Sequence, residues 1–209
     1  MNIFRKLFGH KLDAASLVNH GLDCMLYGDF DRAISLITDA IAAEPMLADA
    51  YYNRAIAYAG KGKHDAAITD YTKAIEMKPR HVPISEVYYN RAIVHGKRGA
   101  LELAISDYTQ AIAFNPQHAK AYYNRGVVFM CKKDFDSAVL DFNQAIVLNP
   151  NLSKAFNNLG AIHLDNGQPI QVIADFNRAV ELNPSYEKLR HNLELARANK
   201  DGGSEGLTS

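Results

Sequence analysis

The sequence predicts an all-α fold, an α-solenoid of repeated helical hairpins, on three observations. The tetrapeptide Tyr-Tyr-Asn-Arg occurs three times, beginning at Tyr51, Tyr88 and Tyr122. Pro45, Pro79, Pro116, Pro150 and Pro184 are separated by 34, 37, 34 and 34 residues. Between the prolines, apolar residues recur at helical spacing, with a break near the middle of each interval. Self-similarity at a period of about 20–50 residues marks a repeat architecture in which each unit covers the apolar face of the next.

At this period the chain divides into five units: 14–47, 48–81, 85–118, 119–152 and 153–186. In the second, Tyr51, Ala55 and Tyr58 lie on one helical stripe and Gly62 interrupts it. Ala67, Ile68, Tyr71, Ala74 and Ile75 then resume the spacing until Pro79 stops it. Each unit thus reads as two helices of about 13 residues joined by a turn. Gly28, Gly62, Gly99 and Gly167 occupy the break, where a residue past a helix end often needs positive φ. The fourth unit has Lys133 there, which predicts a different or strained turn. The one long interval contains three extra residues in the His81–Ile84 linker, beside Pro83. Pro169 falls at a first helical turn, where its missing N–H costs nothing.

After Pro184, Leu189, Leu193 and Ala196 form one stripe. This predicts a helix over 187–200 that closes the open apolar end of the stack. The glycine-rich 201–209 reads as a disordered tail.

Composition bounds the function. The 209 residues are 48% hydrophobic, with 23 basic and 23 acidic side chains. That is an ordinary globular balance, and without a basic surplus it argues against a nucleic-acid partner. Cys24 and Cys131 are too few for a disulfide framework and predict small buried or half-buried side chains in a reducing, cytoplasmic setting. Residues 1–13 lack the apolar core of a secretory signal. Ile3, Phe4, Leu7 and Phe8 would share one helix face, with Arg5 and Lys6 opposite. Three readings of that segment stay open: packing on the first repeat, touching a membrane surface, or forming a dimer contact. The last two define the alternative function, a self-assembling or membrane-peripheral scaffold. The oligomeric state is not legible.

The repeated positions resemble the tetratricopeptide repeat. Its early aromatic is matched by Tyr51, Tyr88, Tyr122 and Phe156, with Leu17 as a departure. Its small residue is matched by Gly21, Ala55, Ala92, Gly126 and Gly160. In the second helix Ala33, Ala67, Ala104 and Ala138 take the small place, and Val172 departs from it. Tyr71, Tyr108, Phe142 and Phe176 take the second aromatic place, with Ile37 in the first unit. Ala40, Ala74, Ala111, Ala145 and Ala179 follow. The resemblance implies a right-handed superhelix of five such units and a role in binding proteins or peptides.

Nothing in the chain reads as catalytic. No His-Glu-x-x-His, paired Cys-x-x-Cys, phosphate-binding glycine loop or nucleophile elbow is present, so no enzyme, metal or cofactor is expected. Arg54, Arg91 and Arg125 each precede an acid by sixteen residues: Asp70, Asp107 and Asp141. An Arg–Asp pair inside each repeat explains this, and a row of arginines gripping an anionic ligand competes with it.

Asparagine is the one motif residue that every unit keeps, at Asn19, Asn53, Asn90, Asn124 and Asn158. Asn is a poor mid-helix residue, and two positions past the core aromatic it turns to the inner face. Its amide can donate to and accept from an extended backbone. Persistence for structural reasons, such as bonding to a neighbouring helix, is the competing explanation. The row resembles the asparagine ladder of O-linked N-acetylglucosamine transferases, which implies an extended peptide held by its main chain. Tyr52, Tyr89 and Tyr123 share the inner face, with Asp49 and Glu86 on the first half and Lys120 and Lys154 further on. The family's carboxylate clamp for acidic tails is incomplete here, because Asn124 stands where its Arg should be.

Overall fold

The computed structural model describes residues 13–185 and 187–204. Ile3, Phe4, Leu7 and Phe8, like the final five residues, lie outside this set. The described chain holds eleven helices and no strand, an all-α solenoid of helix-turn-helix repeats. It divides into two compact units, Met1–Phe114 and Asn115–Ser209. The first contains α1 (Ala14–Leu26), α2 (Phe30–Ala43), α3 (Ala48–Gly60), α4 (His64–Met77), α5 (Ile84–Lys97) and α6 (Leu101–Phe114). The second contains α7 (Ala119–Cys131), α8 (Phe135–Leu148), α9 (Ser153–Asp165), α10 (Pro169–Leu182) and α11 (Glu187–Ser204). None of these is long and apolar enough to cross a membrane.

Local chemistry explains where the helices begin and end. Asp13, Asp29 and Asp134 cap α1, α2 and α8, each carboxylate accepting a first-turn backbone N–H. This satisfies one of the donors a helix start leaves unpaired. Every hairpin turn closes with the same pair of backbone bonds. In the second repeat Gly62 N–H donates to Ala59 C=O and Lys63 N–H to Tyr58 C=O. This arrangement needs a left-handed residue, and Gly28, Gly62, Gly99 and Gly167 supply φ of 66° to 76°. The fourth repeat does not change its turn. Lys133 takes φ 62° and keeps both bonds, so the strain falls on its own Cβ.

Packing follows the small-and-aromatic code. Ala33, Ala67, Ala104 and Ala138 are fully buried, as are Ala40, Ala74, Ala111, Ala145 and Ala179. Ile37, Tyr71, Tyr108, Phe142 and Phe176 fill the space that these small residues leave. Where the facing ring is phenylalanine the small residue is glycine, and a Cβ on Gly160 would sit 2.6 Å from the Phe176 ring. The first aromatics differ from a core reading. Tyr51, Tyr88, Tyr122 and Phe156 are only half-buried, each at the edge of its hairpin.

The terminal helix corrects one boundary. It runs to Ser204, so residues 201–204 are helical and not tail. No proline stops it, and extending a helix costs far less than nucleating one. Leu193 and Ala196 bury themselves against Val172 and Phe176 of α10, whereas the Leu189 side chain lies outside the described set. Cys131 is exposed at the last residue of α7, contrary to the expectation of burial, and Cys24 is half-buried.

Candidate peptide-binding face

The four residues of Tyr-Tyr-Asn-Arg separate by role. Arg54 Nε and Nη2 donate to Asp70 at 2.7 and 2.9 Å. Arg91 donates to Asp107, and Arg125 to Asp141, through paired bonds of 2.8 Å. These are two-pronged bonds in which the guanidinium matches the carboxylate. Each guanidinium also lies 5.6 to 5.7 Å above the first tyrosine of its motif. Arg54 and Arg91 reach back as well, donating to the Thr38 and Thr72 hydroxyls of the preceding repeat. The reading of these arginines as an anion-gripping row is therefore wrong; buried carboxylates already occupy them.

In the fifth repeat Leu159 replaces the arginine, yet the acid remains. One turn further along α9, His163 Nδ1 meets Asp175 at 2.6 Å and takes over the pairing. Burial pushes the Asp175 carboxyl above its ordinary range, while the bond to His163 pulls it back. His95 occupies the same helical position, with Nε2 3.7 Å from Asp107, and burial pushes its imidazole below the usual value.

The second tyrosine does more than line a surface. Tyr52 tilts against Tyr71 with ring centroids 6.0 Å apart; Tyr89 meets Tyr108 at 5.9 Å and Tyr123 meets Phe142 at 5.7 Å. Their bodies are half-buried, and the Tyr52 and Tyr123 hydroxyls serve the next repeat within their own unit. Asn90 Nδ2 donates to Tyr52 Oη at 3.0 Å within the first unit. Asn158 Nδ2 lies 3.5 Å from Tyr123 Oη within the second. Asn90 and Asn158 thus each tie one repeat to the preceding one within their own unit. Burial, aided by Glu86, holds the Tyr52 hydroxyl in its protonated, hydrogen-bonding form by raising its pKa.

One rung was missed from the sequence. Asn192 on α11 donates to Asn157 Oδ1 at 2.8 Å, and Asn157 stands where the second, third and fourth repeats carry the second tyrosine. The signal was present: Asn192 falls 34 residues after Asn158. The first repeat lacks the bracket because Val18 occupies the tyrosine place and has no acceptor.

The remaining candidates are dispersed. Asn19 is exposed on α1, Asn53 and Asn124 are half-buried, and Lys120 and Lys154 are exposed in the first turns of α7 and α9. Asp49 is not a free surface charge, because its carboxylate accepts from the backbone N–H groups of Arg80 and His81 at 3.2 and 3.1 Å.

Comparison with known proteins fits this geometry. The family model described as tetratricopeptide repeat matches residues 48–81, 119–152 and 153–186, and a second, described as TPR repeat, matches 97–133. Together they cover more than half of the chain. The chain belongs to the tetratricopeptide repeat family. Its helix-turn-helix repeats therefore make it a protein–protein interaction scaffold by fold. Among solved structures, MamA from Desulfovibrio magneticus RS-1 superposes with a TM-score of 0.74 at 22% identity, covering 83% of this chain and 96% of that one. YrrB, described as a TPR protein with an unusual peptide-binding site, gives 0.72 at 20% identity, covering 91% of this chain and 97% of its own. A tetratricopeptide repeat protein from Parabacteroides merdae gives 0.75 at 22%, over 88% and 72%. At such identities the likeness concerns the fold. A curated relative, serine/threonine-protein phosphatase T of Trypanosoma brucei brucei, is 43% identical over 42 residues, which are 20% of this chain and only 9% of that protein.

Proposed function

We propose that this tetratricopeptide repeat chain is an adaptor that holds an extended peptide by its main chain, using the asparagine row. Asn53 and Asn90 serve in the first unit; Asn124 and Asn158 serve in the second, and Asn19 extends the row at its start. The observation that carries this reading is the Asn90 amide. One N–H is spent on Tyr52, which fixes the orientation of the group, while its Oδ1 accepts no hydrogen bond from the described residues. A fixed amide with a spare acceptor and a spare N–H matches the alternating donors and acceptors of an extended backbone. Pre-set orientation also lowers the ordering cost of binding. Tyr52, Tyr89 and Tyr123 supply aromatic edges beside it, and Lys120 and Lys154 favour acidic neighbours in the second unit. The two free cysteines suit a reducing compartment such as the cytoplasm.

The test is selection of twelve-residue peptides from a random displayed library by the full chain, followed by calorimetric titration. Peptides selected by the wild type should lose about tenfold in affinity for the Asn53→Ala/Asn90→Ala variant, with far-UV dichroism unchanged. Peptides that bind the variant as tightly as the wild type would refute the assignment.

A further inference from the structure

The three-residue insertion after the second repeat builds a pocket that none of the asparagine positions lines. A cavity of about 650 Å³ lies among Ile75, Val82, Ile84, Tyr88 and Phe114, with Lys78, Arg80 and His81 also in its wall. Its size falls in the ordinary range for ligand sites. Three features make it a built site and not a gap. Asp49 ties the linker down by accepting from the backbone N–H groups of Arg80 and His81. Pro79 and Pro83 stiffen both ends. Lys78 is held at φ 56°, although the residues ending the equivalent helices, Glu44, Asn149 and Asn183, have φ of −133°, −142° and −146°. A left-handed lysine persists only where its surroundings enforce it.

The chemistry of the wall names the occupant. Phe114 is 56% exposed, an unusual state for a large aromatic, and it stacks on Tyr88 at 5.7 Å with the rings 13° apart. The wall carries three basic side chains and no acidic one. Lys78, Arg80 and His81 are all exposed around the apolar floor, so the cleft is open on their side. Small metabolites bind where most of their surface can be enclosed, whereas an open cleft suits a side chain presented from a longer segment. We propose that this pocket docks a peptide segment in which a bulky aromatic residue is flanked by acidic ones. The ring enters against Phe114 and Tyr88, and the flanking carboxylates meet Lys78 and Arg80. Selectivity here comes from side chains, unlike main-chain recognition along the asparagine row.

The probe is a fluorescein-labelled Glu-Asp-Trp-Glu-Asp peptide, read by anisotropy on the full chain. Controls are Glu-Asp-Ala-Glu-Asp and Lys-Arg-Trp-Lys-Arg. The first should bind at least about tenfold tighter than either control. Phe114→Ala and Arg80→Glu should each weaken it by about tenfold, while Asn90→Ala should not. Arg80 is an exposed linker residue, so its variant keeps the test valid should Phe114→Ala disturb the fold. Equal binding of the three peptides, or equal binding to the wild type and both variants, would overturn the proposal. Weakening by Asn90→Ala alone would overturn it too, placing the peptide on the asparagine row.

Discussion

At the scale of single residues, the motif arginine and the turn lysine make opposite demands. Asp107 is buried and its charge is balanced by Arg91, so removing either partner alone strands the other. Asp107→Leu should cost about 3 kcal/mol, measured by urea unfolding, and adding Arg91→Met should recover most of it. The first repeat shows that the apolar solution exists, since buried Leu36 occupies the acid's place. Lys133 is the reverse case, a side chain where none is wanted. Lys133→Gly removes about 1–2 kcal/mol of left-handed strain against about 0.5–1 kcal/mol of added chain entropy. The net gain should be about 0.5–1 kcal/mol and appear as a raised Tm. A lowered Tm would mean that the lysine makes a contact worth more than its strain.

At the scale of elements, the fifth repeat differs in holding its half-buried acid with a histidine. The sign of its pH response follows from burial. Asp175 has its pKa raised in the folded chain, so folding favours its protonated form. That contribution is complete below the unfolded value of 3.8 and disappears as pH rises through the higher folded value. The wild type should therefore lose stability relative to Asp175→Asn as pH rises from about 3.8 through that window, by thermal melts at each pH. A constant difference would show that Asp175 titrates as an ordinary carboxylate. On α11, the bond from Asn192 to Asn157 joins the terminal helix to α9. Asn192→Ala should speed amide exchange in α11 several-fold and leave α7 unaffected.

At the scale of the whole molecule, the repeat period was legible because packing wrote it redundantly. Buried alanines, facing aromatics, turn glycines and closing prolines all carry the same register. The Arg–Asp pairs were legible too, from an acid sixteen residues beyond each arginine. What could not be read were the contacts between repeats. Asn90 to Tyr52 spans 38 residues, and Asn158 to Tyr123 spans 35. Neither distance is a helical spacing, so only the stacked hairpins bring the partners together. Tyr52 and Tyr123 therefore looked like surface residues alone, yet each also accepts from the next repeat. Asp49 looked like a free charge and is a cap for an inserted linker, because the insertion's path depends on backbone angles that the residue types do not specify. The extent of α11 escaped for another reason: glycines lower helix propensity without forbidding helix once a longer segment has nucleated.

We propose, then, that asparagines oriented by the preceding repeat receive a peptide main chain. A crystal structure of the full chain with a library-selected peptide tests it most directly. The peptide should be extended, its backbone N–H donating to Asn90 Oδ1 and its C=O accepting from an asparagine N–H, with the Asn90–Tyr52 bond intact. A peptide bound elsewhere, or one that breaks the Asn90–Tyr52 bond to enter, would contradict it.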